Sequence, residues 1–350
     1  MIGRLFRSGW WVVLAAVISV VGILALVVRP GPITGIGDGN DPATYGFDLD
    51  CMRISGIVAG GMGRDGLHAV DNPETVAGTQ VATINEEHRG KLLVGSDRVI
   101  GVIIKGEARA YPLRLMRWHE VVNDDLGGES IVVTYSGLSD ASAVWRRPVI
   151  AGQPLSFAVS GLLSNSNTLI YDRARPEGEP SLWSQLGGHA VAGQLACSEA
   201  HLQGLPFDLT LWSDWFEQHP DTDVMAPLPE LKRLYKRDPY HSYFGSQVLH
   251  FPVDPMPPAD GLDPKESVVI VENGSQRKVF AVSSLAADAG VPQGSVDVTI
   301  ANLPLRIHFT TLPATARVEA LDDSDQIPVM RIAFWFAWHA QFPNDPLATP

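Results

Sequence analysis

Residues 106–142 read GEARAYPLRLMRWHEVVNDDLGGESIVVTYSGLSDAS. Two short runs in it, 108–113 and 130–135, are rich in β-branched and aromatic residues and bounded by Gly, Asn or Asp, the pattern of strands. Between them, residues 113–123 carry a helical spacing. The stretch therefore predicts a strand, a short helix and a further strand. It also concentrates chemically capable side chains: Arg109, Tyr111, His119, Glu120, Asn123 and Asp124. Ser136 and Ser139 then supply hydroxyls where a redox or metal site would use thiols. On a helix, adjacent side chains point about 100° apart, so His119 and Glu120 need a second element to meet one ligand.

Working outward, further strands are expected at 99–104, 155–159, 168–171, 267–271, 278–282, 296–300 and 305–309. Helices are expected only at 214–219 and 282–289 beside 113–123. The 33 Gly and 26 Pro break the chain often, which favours many short elements. The fold class expected is mainly β (α+β). A weak internal repeat sets residues 98–135 beside 266–309, where VIGVIIKGEARAYPL parallels VVIVENGSQRKVFAV. This reading gives two related β-rich lobes with few short helices, 46–253 and 265–350, joined by a Pro- and Gly-rich linker at 254–264. The second lobe lacks the His-Glu pair.

The N-terminus is a separate problem. Residues 9–28 contain no charge and follow Arg4 and Arg7. Twenty helical residues span about 30 Å, the thickness of a hydrocarbon core. A cleaved signal peptide shares the charged start, but its apolar core is usually shorter and no small-x-small cleavage site follows Val28. Residues 1–29 are therefore expected to be an uncleaved transmembrane anchor and 30–45 a linker. Arg4 and Arg7 keep the N-terminus cytoplasmic by the positive-inside rule, which places the main domain outside the cytoplasm. Without the three Arg of residues 1–29, 23 basic residues face 39 acidic ones, a formal charge of −16. Such a surface repels phosphate backbones and disfavours nucleic acid as a partner. Cys51 and Cys197 are the two cysteines. An exported compartment permits them to pair; two independent buried thiols are the alternative.

The blocks GEARAYPL, WHEVVND, VVTY, FAVSGLLSNSN, YDR, SLWSQ, WxxxHPDT, RDPYHSYF and FWFAWHAQFP occur in this order. Together they resemble the bacterial family called domain of unknown function 3179, over nearly all of the chain beyond residue 46. Relatives generally read TYCPLCGSA where this chain reads TYSGLSDAS, so Ser136 and Ser139 stand at two Cys positions and Gly137 at a Pro. The resemblance implies a paired-thiol metal or redox centre in those relatives. Serine hydroxyls ligate soft metals poorly and form no disulfide, so this copy is expected to lack that chemistry.

Other constellations are weaker. Residues 123–128, NDDLGG, read as a turn, and the spacing of a calcium loop is absent. Ser160 lies outside any G-x-S-x-G elbow. Trp183, flanked by Ser184 and Gln185, is the tryptophan expected to wall a cleft, while Trp212, Trp215, Trp335 and Trp338 read as core. A polar pocket is thus expected around Arg109, Tyr111, His119, Glu120 and Asn123. Ser136, Ser139, Ser160, Asn165, Asp172, Arg173, Trp183 and Gln185 are its further candidates. No cofactor is expected. His119 and Glu120 are weak metal candidates, and the partner is the membrane plus an unidentified small molecule or envelope protein. The function expected is a non-redox binding or accessory protein. The alternatives are an enzyme or metal-binding protein using His119 and Glu120, or a structural envelope protein.

Overall fold

A computed structural model describes, apart from residue 19, residues 41–87, 92–173, 178–259, 261–322 and 328–350. The expected anchor at 9–28 lies outside the described residues, as does most of the linker after it. Among the described residues no helix is long and apolar enough to cross a membrane.

The fold is mainly β with a few short helices. Each strand expected from sequence is present, usually longer by one or more residues at its ends. The helix expected at 113–123 is shorter: it runs Leu113–His119, and Glu120 takes a left-handed conformation (φ 58°) as its cap. The β-branched Val121 and Val122 then begin a strand, Val121–Leu126, buried at five of its six positions. The turn expected at 123–128 is correspondingly confined to Gly127 and Gly128.

The repeat follows one element order twice. A hairpin, Arg98–Ile104 with Glu107–Pro112, leads into the Leu113–His119 helix. A meander of Val121–Leu126, Glu129–Ser136 and Ala141–Arg146 comes next. A single strand, Asp208–Leu211, and the helix Trp212–Gln218 close the copy. The second copy has the hairpin Ser267–Asn273 with Gln276–Ala281, the helix Val282–Ala289 and the meander Gln293–Ile300, Leu303–Thr311, Ala314–Ala320. It closes with Val329–Phe334 and the helix Trp335–Gln341.

The copies do not form separate sheets. The first hairpin and Asp208–Leu211 pair with the second meander in one eight-stranded sheet, joined at Leu209↔Ala316. The second hairpin and Val329–Phe334 pair with the first meander in the other, joined at Ile332↔Ser142. Residues 254–264 therefore do not divide one sheet from the other. The main core lies between these two sheets and takes Ile100, Tyr111, Val133 and Tyr135 from the first copy with Val269, Phe280, Ile307 and Ile332 from the second.

Corresponding contacts recur in both copies. Trp212 N–H bonds Asp97 O as Trp335 N–H bonds Glu266 O; Ser213 N–H bonds Gly95 O as Phe336 N–H bonds Pro264 O. At the helix ends, the Trp215 ring lies 4.2 Å from that of the cap His219 and the Trp338 ring 4.3 Å from that of the cap Phe342. Each inner indole also donates seven residues ahead, Trp215 to Thr222 Oγ1 (3.0 Å) and Trp338 to Asp345 Oδ2 (3.1 Å). The WxxxHPDT block and the segment 335–345 are thus two versions of one helix stop.

Between its meander and its single strand, the first copy carries a large insertion. Ser156–Ser164, Asn167–Arg173, Leu182–Ser184 and Ala190–Ala192 make a five-stranded sheet with Ile57–Ala59 at its edge. In the second copy the same connection is residues 321–328. Cys51 and Cys197 are disulfide-bonded, Cα to Cα 5.1 Å, and fasten the N-terminal segment to this insertion.

Candidate functional site

The left-handed turn at Glu120 sends the His-Glu pair in opposite directions. Such a turn in a residue with a Cβ costs roughly 1–2 kcal/mol, so the packing around it must hold it in place. His119 is fully buried. Its Nδ1 meets His68 O at 2.7 Å, so Nδ1 carries the proton, and Nε2 accepts from the Tyr235 hydroxyl at 2.7 Å. Burial lowers the imidazole pKa below its ordinary value. His119 is a neutral, satisfied core histidine.

Glu120 enters a different environment. Its Oε2 accepts from Thr168 Oγ1 at 2.7 Å and its Oε1 from the Tyr240 hydroxyl at 3.2 Å, with a further bond from the Gly137 N–H. Ser136 Oγ lies 3.1 Å from Thr168 Oγ1 and accepts from Thr168 N–H at 3.2 Å. Asn167 Nδ2 donates to both Ser139 Oγ and Gln185 Oε1 at 2.9 Å. Gln185 Nε2 continues the chain to Thr134 Oγ1 at 2.9 Å. These residues come from the first meander, the insertion and the segment around Tyr240, and every one but Tyr240 is buried. Tyr240 seals the loop from outside: a Cβ on Gly137 would lie 2.1 Å from its ring. Glu120, Ser136, Ser139 and Gln185 were legible as candidates; Thr134, Asn167, Thr168 and Tyr240 were missed. Tyr240 was in view only as part of the RDPYHSYF block.

Burial raises the Glu120 pKa from 4.5 to about 7 against the pull of its three donors. A folded-state pKa above the unfolded one means the native protein binds the extra proton between those values. Stability from this group is full below about pH 4.5 and lost as pH rises through about 7, on the order of 3 kcal/mol. Asp208, also raised to about 7 by burial, acts in the same window. Melting temperature should fall from pH 5 to pH 8, and the double variant Glu120→Gln, Asp208→Asn should flatten that slope. An unchanged slope would remove these two groups from the explanation.

The other expected pocket residues do not join this cluster. Arg109 pairs with Asp124 at 2.7 Å, and Tyr111 donates to the same carboxylate at 2.7 Å, where the two large sheets meet. Asn123 acts as a backbone substitute: its Oδ1 accepts from Phe157 N–H and its Nδ2 donates to Phe157 O, both at 2.8 Å. Ser160 Oγ serves the bulge of its own strand, donating to Leu169 O and accepting from Leu162 N–H. Asp172 accepts from Ser181 N–H and from Trp183 Nε1, both at 2.9 Å. Trp183, expected to wall a cleft, is instead 1% exposed and packs edge-on against Phe157. Of its polar neighbours, Gln185 faces buried partners, and Ser184 donates to Gln341 beside the C-terminal helix. Arg173 pairs with Asp71 near the surface. Asn165 sits in the 164–167 turn and accepts from Asp254 N–H at 2.9 Å.

What remains is a closed polar network at the two serines, and His119 is not part of it. Glu120 can accept hydrogen bonds or take up a proton; the serines, tied to Thr168 and Asn167, serve as linkers. No curated protein and no solved structure matches the chain. The profile of the family described as protein of unknown function (DUF3179) matches residues 64–327, about three-quarters of the sequence, and the chain belongs to that family.

Proposed function

We propose that this protein is a non-redox ligand-binding or accessory member of its family, anchored in the membrane by residues 9–28 with its β-rich part outside the cytoplasm. The observation that carries the reading is the network at Ser136 and Ser139. Where relatives generally have thiols, this chain has hydroxyls engaged with Thr168 and Asn167, which supports a centre converted into a structural joint. The divergence of His119 and Glu120 counts against an enzyme or metal site built on that pair. The Cys51–Cys197 bond fits an oxidising compartment, and the acidic surface fits a soluble extracytoplasmic domain.

Metal analysis of the purified full chain tests the reading. No stoichiometric transition metal is expected, and a bound ion lost on His119→Ala would overturn it. The double variant Ser136→Cys, Ser139→Cys should gain either stoichiometric zinc or a second disulfide. Failure to gain either would mean that the two positions are not a converted thiol centre.

A further inference from the structure

We propose that the cleft between the inserted sheet and the C-terminal helix binds a small neutral polyhydroxylated molecule, a sugar or polyol. The inference rests on the ligand-binding reading above and gives that reading a place and a chemistry. The cleft measures about 360 Å³, within the range that small-molecule sites occupy. Five segments distant in sequence build it. Arg53 and its neighbours are held by the Arg53 N–H bond to Val191 O and by the adjacent disulfide. The 164–169 hairpin carries Asn165 and Asn167, Asp254 is tied to Asn165, and Gln341 closes the side by accepting from Ser184 Oγ at 2.7 Å.

Asn167 lines the cleft and is 1% exposed. Both donor bonds recorded for its Nδ2 go to the serine network, while its Oδ1 is buried without a hydrogen-bond partner in the protein. An acceptor left so costs roughly 1–3 kcal/mol, a cost a ligand donor would relieve. Besides Arg53, His189 and Asp254, the remaining polar lining is hydroxyl and amide, groups that match the paired donor and acceptor character of sugar hydroxyls. Leu169 and Ala340 add apolar surface for the carbon face of such a molecule. Charge points the same way. Arg53 is engaged by Ala196 O at 2.8 Å and Glu199 at 3.0 Å, and burial lowers the His189 pKa and keeps the ring neutral. An anionic ligand would find Arg53 already occupied, and the exposed Asp254 carboxylate can accept from a ligand hydroxyl.

Saturation-transfer NMR on the full chain, in a detergent whose headgroup is not a sugar, tests the assignment. The probes are glucose, N-acetylglucosamine and glycerol, with acetate and ammonium as charged controls. Transfer to at least one neutral probe is expected. Ser55→Trp, an exposed substitution at the mouth, should abolish it, and Gln341→Ala should weaken it about tenfold, as for one lost hydrogen bond. Both variants should melt like the parent. No transfer to the neutral probes, or transfer that both variants leave intact, overturns the proposal. Transfer confined to acetate or ammonium and abolished by Ser55→Trp overturns the neutral class while the ligand-binding reading stands. The metal and thiol results of the preceding section judge the non-redox reading separately.

Discussion

Replacing Arg98 with Leu should destabilise the protein by about 3–5 kcal/mol, the usual consequence of removing one partner of a buried ion pair. Arg98 makes a two-pronged contact with Asp140, both bonds 2.8 Å, and each side chain is 9% exposed. Tyr135 donates to the same carboxylate at 2.7 Å. Removal of Arg98 leaves a buried negative charge next to the Ser136–Ser139 turn. Asp140 also has φ 44°, a conformation that suits glycine. The triple variant Arg98→Leu, Tyr135→Phe, Asp140→Gly removes charge, donor and backbone strain together and should recover most of the loss. Urea unfolding of the single and triple variants gives the comparison. A single variant costing less than about 1 kcal/mol would show that the pair contributes little to this turn.

The inner tryptophans of the repeat provide the second large effect. Trp215→Ala and Trp338→Ala should each cost about 3–5 kcal/mol, as large-to-small changes of buried aromatics do. Trp215 is 1% exposed and Trp338 0%. The Trp215 ring also presses on the opposite strand: a Cβ at Gly101 would lie 2.3 Å from it. Arg277 lies over Trp338 at 4.9 Å and pairs with Asp345, the acceptor of that indole. Trp→Phe at either position keeps a ring for its partner four residues on, loses the bond seven residues ahead, and should cost less than Ala. Thermal melts of the four variants test the equivalence. A severe loss at one site with a neutral outcome at the other would mean that the helix stops do not share an energetic role.

The strands were legible because short β-branched and aromatic runs between turn residues have few other uses. Trp212 and Trp338 read correctly as core for the same reason. The helix end was not legible, since nothing local announces that a glutamate will adopt a glycine-like conformation. Its consequence, His119 and Glu120 facing different partners, was equally hidden. The repeat was visible as a pattern of residues, but strand pairing across the copies depends on contacts more than a hundred residues apart. The candidate pocket was blurred by a related ambiguity. Ser184, Gln185 and Asp172 look alike in sequence, yet Ser184 lines the cleft beside the C-terminal helix while Gln185 and Asp172 satisfy buried partners.

The exchange of meanders between the two sheets makes each half of the chain an obligate partner of the other. In topology each half lends the three strands of its meander to the sheet begun by the other, and residues 254–264 lie between the two copies in sequence. Neither half can complete a sheet before its counterpart exists, so the main core closes only when the C-terminal strands arrive. The first half must therefore wait with an open sheet edge while the second is synthesised, the stage at which strand-edge aggregation threatens most.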